Sequence, residues 1–243
     1  MSNPTAAILI IGDEILSGRT RDANMHYLAG ELTRIGIDLI EARFVSDRHE
    51  AIVAAVRSLS GAHDHLFTSG GIGPTHDDIT ADAVAEAMGA SLDVRADARA
   101  LLQAHYDRSG LELNAARLRM ARIPDGAVLI DNPISAAPGF SLGNVHVMAG
   151  VPNIFQAMVA GLLPRLTGGR PVLSQTLRVL QGEGTIAAPL AALAAEFADL
   201  SFGSYPFVVN GAYGTNLVVR GQDAGRIDLA MAHMVRLFGG ERT

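Results

Sequence analysis

The stretch from Phe67 to Thr80 combines residue types that bind a phosphate with residue types that bind a metal ion. It follows a short apolar run and leads into an alanine-rich helical pattern. Glycines let backbone amides approach an anion, and a helix N-terminus adds partial positive charge. Carboxylates beside a phosphate need a metal ion or a proton to be tolerated. The stretch therefore predicts a phosphate or pyrophosphate site with a metal-binding edge at Asp77 and Asp78.

The same residues also have purely structural interpretations. Three glycines within four residues can form nothing more than a tight turn: Gly70, Gly71 and Gly73. An aspartate at a helix start can cap the helix and favour its dipole. The neighbouring hydroxyls could cap the helix or donate to phosphate: Ser69, Thr75 and Thr80.

Further polar, glycine-containing loops follow other predicted strands. The continuous apolar run Ala6–Ile11 is typical of a strand covered on both faces of a parallel sheet. Strand and helix patterns then alternate, which predicts an open sheet with helices on both faces. In such a sheet the loops beyond the strand carboxyl ends share one edge, where ligands bind. We therefore expect four loops to meet in one pocket: Gly12–Gly18, Ser69–Thr80, Asp131–Gly139 and Gly150–Pro152.

Composition restricts the chemistry that this pocket can perform. The chain of 243 residues has no cysteine, which excludes thiolate catalysis and cysteine-ligated metals. A net charge of −6 and the absence of tryptophan argue against nucleic acid or an anionic membrane as partner. There is no secretory signal pattern and no apolar stretch of spanning length, so we expect a cytoplasmic protein. Motifs of dinucleotide-binding dehydrogenases, P-loop NTPases and serine hydrolases are also missing.

A change of pattern divides the chain in two. The segment 164–171 is rich in proline and glycine and is the candidate linker. It separates a predicted α/β domain over 1–167 from a β-α-β-β-α unit over 171–243, which we expect to fold as a small α+β domain. Within the first domain, residues 93–122 are predicted to be helical in two pieces, and Asp47 is predicted to cap the helix that follows it.

The motifs together resemble the molybdopterin-binding (MoaB/MogA-like) domain family. The resemblance is carried by the following segments: Gly12–Leu16, Asp22, Asn24, Ser69–Thr80, Ala137–Phe140 and Gly150–Pro152. It covers residues 5–165 and is closest to the N-terminal domains of CinA (competence/damage-inducible protein A)-like proteins and FAD synthases. It implies a three-layer α/β/α fold and a pocket for a molybdopterin or a nucleotide. It also implies a homo-oligomer, a dimer or a trimer.

Motifs and resemblance together define the candidate site. The residues expected to bind the ligand are Gly12, Asp13, Asn24, Ser69, Gly70, Gly71, Gly73, Pro74, Thr75, Thr80, Asn132, Pro138, Gly139, Gly150 and Pro152. The candidate catalytic residues are Glu14, Asp77 and Asp78, and the candidate metal ligands are Asp77 and Asp78. A nearby basic cluster could be a solvated face or could neutralise a phosphate: Arg117, Arg119 and Arg122.

Three positions depart from the pattern of the family. Ala149 replaces a common proline, Ile154 a common glutamate, and Ser135 a common glycine. The loss of a carboxylate favours ligand binding over catalysis. The first hypothesis is therefore a module that binds a molybdopterin-like or nucleotide ligand. The alternatives are a metal-dependent pyrophosphatase acting on ADP-ribose or a related nucleotide, and an oligomeric interaction protein with a vestigial site.

Overall fold

The computed structural model describes residues 2–209 and 211–243, which form two compact units. The first unit ends at Gly169 and the second begins at Arg170. This boundary lies inside the segment 164–171 that the sequence marks as a linker. Each unit has its own apolar core, so each is described by itself.

The first unit alternates strands and helices along its length. In chain order its elements are β1 (Thr5–Ile11), α1 (Asp13–Leu16), α2 (Asn24–Arg34), β2 (Asp38–Val45), α3 (His49–Ala62), β3 (His65–Ser69), α4 (Thr80–Met88), β4 (Leu92–Val94), α5 (Ala96–Ser109), α6 (Ala115–Leu118), β5 (Arg122–Pro124), β6 (Val128–Ile130), β7 (Gly139–Leu142), β8 (Val145–Met148) and α7 (Pro152–Leu162). Short 3-10 turns follow α6 and α7, at Arg119–Ala121 and Leu163–Arg165.

The central sheet of this unit has the strand order β2-β1-β3-β8-β7-β6. The pairs β2–β1, β1–β3 and β3–β8 are parallel, whereas β7 and β6 continue the sheet antiparallel. The carboxyl ends of β1, β3 and β8 therefore lie side by side at one edge.

Apolar side chains cover both faces of this sheet. Along β1, one face carries Ala7, Leu9 and Ile11, and the other carries Ala6, Ile8 and Ile10. The first set shares a core with residues of α3 and α4, and the second set shares a core with residues of α2 and α7. Two helical layers around a mostly parallel sheet confirm the predicted three-layer α/β/α class.

The segment 93–122 contains the two predicted helical pieces, α5 ending at Ser109 and α6 after it, but its ends differ from the prediction. Its ends belong to β4 and β5, which pair antiparallel from Leu92↔Pro124 to Val94↔Arg122. Strands of three residues are too short to show the alternation that identifies a strand in a sequence. The helix start predicted at Asp47 also differs, because α3 begins at His49 and Arg48 precedes it.

The second unit is an antiparallel sheet with two long helices. Its elements are β9 (Leu173–Val179), α8 (Glu183–Glu196), β10 (Ser201–Val209), β11 (Ala212–Gly221), α9 (Ala224–Phe238) and β12 (Glu241–Arg242). The strand order is β10-β11-β9-β12, and both helices share one core with the sheet. The unit has the predicted β-α-β-β-α order with the short β12 added. Among the described residues, no helix is long and apolar enough to cross a membrane.

Candidate functional site

A cleft of about 530 Å³ lies at the carboxyl ends of β1, β3 and β8 in the first unit. The loops after these three strands line it, together with the segment between β6 and β7. The sequence-predicted site residues that line the cleft are Gly12, Glu14, Gly70, Gly71, Gly73, Pro74, Asp77, Asp78, Asn132, Gly150 and Pro152. This is the edge of an open α/β sheet at which ligands bind.

Gly70–Gly73, here called the glycine loop, forms the floor of the cleft beside the end of β3. Gly70 and Gly71 have φ angles of 109° and 68°, which side chains other than glycine rarely adopt. A methyl group on Gly70 would collide with the carbonyl oxygen of Ile11, and one on Gly71 would collide with the Thr80 hydroxyl. Both positions therefore require glycine.

Three consecutive amides of the glycine loop are free. Across residues 2–209 and 211–243, the backbone N–H groups of Gly71, Ile72 and Gly73 donate to no backbone or side-chain acceptor. The amide before them is used, because Gly70 donates to the Met148 carbonyl at 3.2 Å. A run of unpaired amides at a glycine turn is an arrangement that binds anions.

Thr80 fixes the glycine loop through two hydrogen bonds to its carbonyl groups. Its hydroxyl donates to the Gly70 carbonyl at 2.9 Å, and its amide donates to the Gly71 carbonyl at 3.0 Å. Thr80 is completely buried and does not line the cleft. Its side chain is therefore already committed to the loop and does not reach a ligand in this geometry.

Asn24 and Ser69 join three of the loops beneath the cleft. The Asn24 amide nitrogen donates to the Ser69 hydroxyl and to the Gly150 carbonyl, both at 2.8 Å. Asn24 and Ser69 are both buried and lie outside the lining of the cleft. The Asn24 side-chain oxygen is buried without a hydrogen-bond partner among the described residues. The structure places these two predicted ligand contacts where they support the site from below.

The two aspartates of the motif have different surroundings. Asp78 accepts hydrogen bonds from the amide of Thr75, at 2.8 Å, and from its hydroxyl, which closes a turn. Asp77 is exposed, and the Thr75 side chain keeps the pKa of its carboxyl below the ordinary value, with its own amide and His76 adding to this. The direct hydrogen bond of the Thr75 hydroxyl nevertheless goes to Asp78. In the described chain neither aspartate caps α4, which begins at Thr80 after Ile79.

Four carboxylates form what we call the acidic wall of the cleft: Glu14, Asp47, Asp77 and Asp78. Asp47 follows β2 and also accepts a hydrogen bond from the Asp13 amide at 2.8 Å. The sequence did not predict that Asp47 lines the cleft, because a single aspartate before a helix is typical of a cap. No Lys, Arg or His is among the described residues that line the cleft. The same described chain contains no cluster of three His, Asp or Glu side chains able to bind a metal by themselves.

An apolar wall completes the cleft. Its members are Ile11, Ile72, Met120, Ala149, Val151 and Ile154. Within this wall Val151 is 54% exposed. Ser135, Ala149 and Ile154, the three departures from the family pattern, all line the cleft. The departures therefore change the surface offered to a ligand.

The other predicted ligand-binding residues are either bonded within their own loop or lie outside the lining of the cleft. Asn132 does line it, but its side chain already makes four hydrogen bonds within the segment 132–137. Pro138 lines a separate, small cavity of about 20 Å³ behind the glycine loop. Gly139 begins β7 and, like Asp13 and Thr75, lies outside both cavities, as do Asn24, Ser69 and Thr80.

Two family models match the chain, one over each unit. Residues 7–168 match the family model described as "Probable molybdopterin binding domain", and residues 171–242 match "FAD synthase, middle domain". The first match covers most of the chain, together with the cleft. The chain therefore belongs to the family of probable molybdopterin-binding domains.

Individual proteins are also similar to this chain. A probable FAD synthase of Caenorhabditis elegans is 31% identical over 97% of this chain and 50% of its own length. A CinA-like protein of Citrifermentans bemidjiense is 38% identical over 67% of this chain and 40% of its own length. The chain thus spans half or less of the length of these curated relatives. The crystal structure of the CinA protein of Thermoplasma acidophilum, 32% identical, covers 67% of this chain and 97% of its own, with a TM-score of 0.62.

Proposed function

We propose that the chain binds a molybdopterin-like or nucleotide ligand in the cleft, with its phosphate or pyrophosphate on the amides of Gly71, Ile72 and Gly73. The observation that carries the proposal is the run of free amides at a glycine turn on the ligand-binding edge of the sheet. The apolar wall offers an adjacent surface for a planar ring. Binding pockets commonly combine such a surface with a few fixed polar groups.

The relatives support the choice of ligands to test. A relative that spans nearly the whole chain is a probable FAD synthase, so nucleotides, flavin nucleotides among them, belong in the first panel. The family match to a probable molybdopterin-binding domain adds molybdopterin precursors. Calorimetric titration with ADP, ADP-ribose, flavin nucleotides and these precursors tests the proposal, with adenosine and riboflavin as phosphate-free controls. We expect binding only of phosphorylated ligands, and the proposal is wrong if none of them binds.

The acidic wall favours a second candidate function, metal-dependent cleavage of a pyrophosphate. Mg²⁺ commonly keeps water and phosphate ligands and needs only one or two carboxylates, so Asp77 and Asp78 suffice to hold it. When bound, the ion would neutralise the pyrophosphate and lower the pKa of a bound water. The chain would orient the pyrophosphate through the glycine loop and accept a proton at the carboxylate of Glu14, which lines the same cleft.

Hydrolysis of ADP-ribose in the presence of Mg²⁺ tests this second function. We expect Asp77→Asn and Asp78→Asn to lower the rate by about 100-fold or more if their carboxylates hold the ion. Asp93→Asn, which removes a carboxylate from β4 outside the cleft, is the matched control. Equal rates in the parent and both cleft variants would remove the pyrophosphatase hypothesis and leave the binding function intact.

A further inference from the structure

The proposed ligand would bring a negative charge into a cleft that is already acidic. A phosphate on the glycine loop would face the four carboxylates of the acidic wall, and none of the described residues lining the cleft is cationic. Like charges at short distance strongly disfavour binding unless a positive charge offsets them. A divalent ion is one source of that charge. The chain itself offers another, on the opposite side of the glycine loop.

Arg119 lies directly behind the glycine loop. Arg119 lines the small cavity together with Gly71, Gly73 and Asp78, which also line the cleft. One terminal nitrogen of Arg119 donates to the Asp78 carbonyl at 3.3 Å. The Nε atom is buried and has no hydrogen-bond partner among the described residues. A buried guanidinium nitrogen without a partner is costly, so its place beside this loop calls for a functional explanation.

The other two arginines of the basic cluster, Arg117 and Arg122, make side-chain contacts with residues outside the glycine loop. Arg122 forms a two-pronged ion pair with Asp82. Arg117 stacks on the Tyr106 ring, 4.7 Å from its centre, and donates to the Glu112 carbonyl. Within the described chain Arg119 takes part in no ion pair. Among the described residues Arg117 likewise takes part in no ion pair, so the two differ in position: Arg119 lines the small cavity beside the glycine loop, and Arg117 does not.

We propose that Arg119 provides the positive charge that stabilises a phosphate on the amides of the glycine loop, acting across the loop as a positioning residue that also fixes the backbone of Asp78. This inference rests on the proposed binding function and adds to it the source of the counter-charge. Because the Nε atom of Arg119 is buried, the guanidinium is partly shielded from solvent, which strengthens its field at the glycine loop. It follows that phosphate binding does not depend entirely on a metal ion.

Titration of ADP in the presence of EDTA tests the inference, with four proteins compared. We expect Arg119→Met to weaken binding about tenfold or more, as for loss of one interaction with a charged group. Arg119→Lys keeps the charge and should retain most of the affinity, a result that a purely structural role would not give. Arg117→Met removes the same charge from the same segment and should leave the affinity within about twofold. Far-ultraviolet circular dichroism confirms that each variant is folded, and Arg119→Gln replaces Arg119→Met if the latter unfolds.

The outcomes separate this inference from the proposed function. If wild type binds ADP and the Arg119→Met protein binds it equally well in EDTA, the inference is wrong and the proposed function stands. The inference is also wrong if Arg119→Lys loses as much affinity as Arg119→Met, or if Arg117→Met weakens binding equally. If wild type binds no phosphorylated ligand under any condition, both the proposed function and the inference fail.

Discussion

The hydroxyl of Thr80 donates a hydrogen bond to the carbonyl oxygen of Gly70 at 2.9 Å, and this bond is buried. Thr80 is the first residue of α4, and Gly70 follows the last residue of β3. The bond therefore ties the helix to the start of the glycine loop. With the Gly70 and Gly71 carbonyls bonded to Thr80, the next three amides stay unpaired beside the cleft. The shape of the proposed phosphate site depends on this contact.

Replacement of Thr80 by valine tests the contact. Thr80→Val keeps the side-chain shape but leaves the buried Gly70 carbonyl without its donor, which costs about 1–3 kcal/mol. We expect the free energy of unfolding, measured by urea denaturation, to fall by this amount and ADP affinity to fall with it. Thr80→Ser keeps the hydroxyl and should retain most of both. A Thr80→Val protein with the stability and affinity of wild type would show that the contact does not shape the loop.

Gly71 should tolerate no side chain. Gly71→Ala combines an unfavourable φ with a collision against the Thr80 hydroxyl, whereas Gly18→Ala at a similar φ of 73° meets open space. A positive φ alone costs about 1 kcal/mol for alanine. We therefore expect Gly71→Ala to lose clearly more stability than Gly18→Ala in the same urea experiment, and to lose ADP binding. Equal losses in the two variants would contradict the close packing of the loop against Thr80.

Asn24 should be needed as a hydrogen-bond donor. Asn24→Asp has the same shape but places a carboxylate oxygen against the Gly150 carbonyl, which Asn24 now contacts at 2.8 Å. The Ser69 hydroxyl can donate to this carboxylate, but a buried charge against a carbonyl oxygen is costly, so we expect a loss of about 2–4 kcal/mol in stability at pH 7. Ser69→Ala removes only one of the two partners and should cost less than this. If Asn24→Asp is as stable as wild type, Asn24 does not join the loops as described.

The buried His146 should make the first unit sensitive to acid. Burial, followed by the charges of His65 and Arg165, lowers the pKa of His146 from 6.5 to about 3. Its ring contacts the Ser141 hydroxyl at 2.9 Å and His65 at 3.2 Å. Between pH 6.5 and about 3 the unfolded chain binds the proton and the folded chain does not. Stability is therefore complete above pH 6.5 and falls as the pH is lowered through this window.

His146→Gln removes this titration. Between pH 7 and pH 5, we expect wild type to lose about 2 kcal/mol more unfolding free energy than the variant, at about 1.4 kcal/mol per pH unit below 6.5. Carboxylates titrate in both proteins, so their contribution to the pH dependence of the unfolding free energy cancels in the comparison. Parallel pH profiles for the two proteins would show that His146 is not held neutral by burial.

The fold was predictable because its main signals are local. The apolar run Ala6–Ile11 has no polar interruption, and both of its faces are buried. Glycine-containing loops after successive strands follow from the same pattern, since parallel strands end at a common edge. The strands β4 and β5 were not predictable, because three residues carry too little periodicity.

The roles of individual site residues were less predictable than the place of the site. Asn24 and Thr80 were expected to contact the ligand, but neither lines the cleft, and both side chains bond to the loops. Sequence spacing gives the position of such residues and not the direction of a short polar side chain. Asp47 lines the cleft because β2 ends beside β1, a pairing that no local pattern around Asp47 reveals.

The most direct test of the account follows the amides of the glycine loop by ¹H–¹⁵N NMR during titration with ADP, with adenosine as the control. If the phosphate binds as proposed, the amide signals of Gly71, Ile72 and Gly73 shift with ADP and stay in place with adenosine. The account is contradicted if ADP binds while these three amides remain unchanged and the shifts fall elsewhere in the chain.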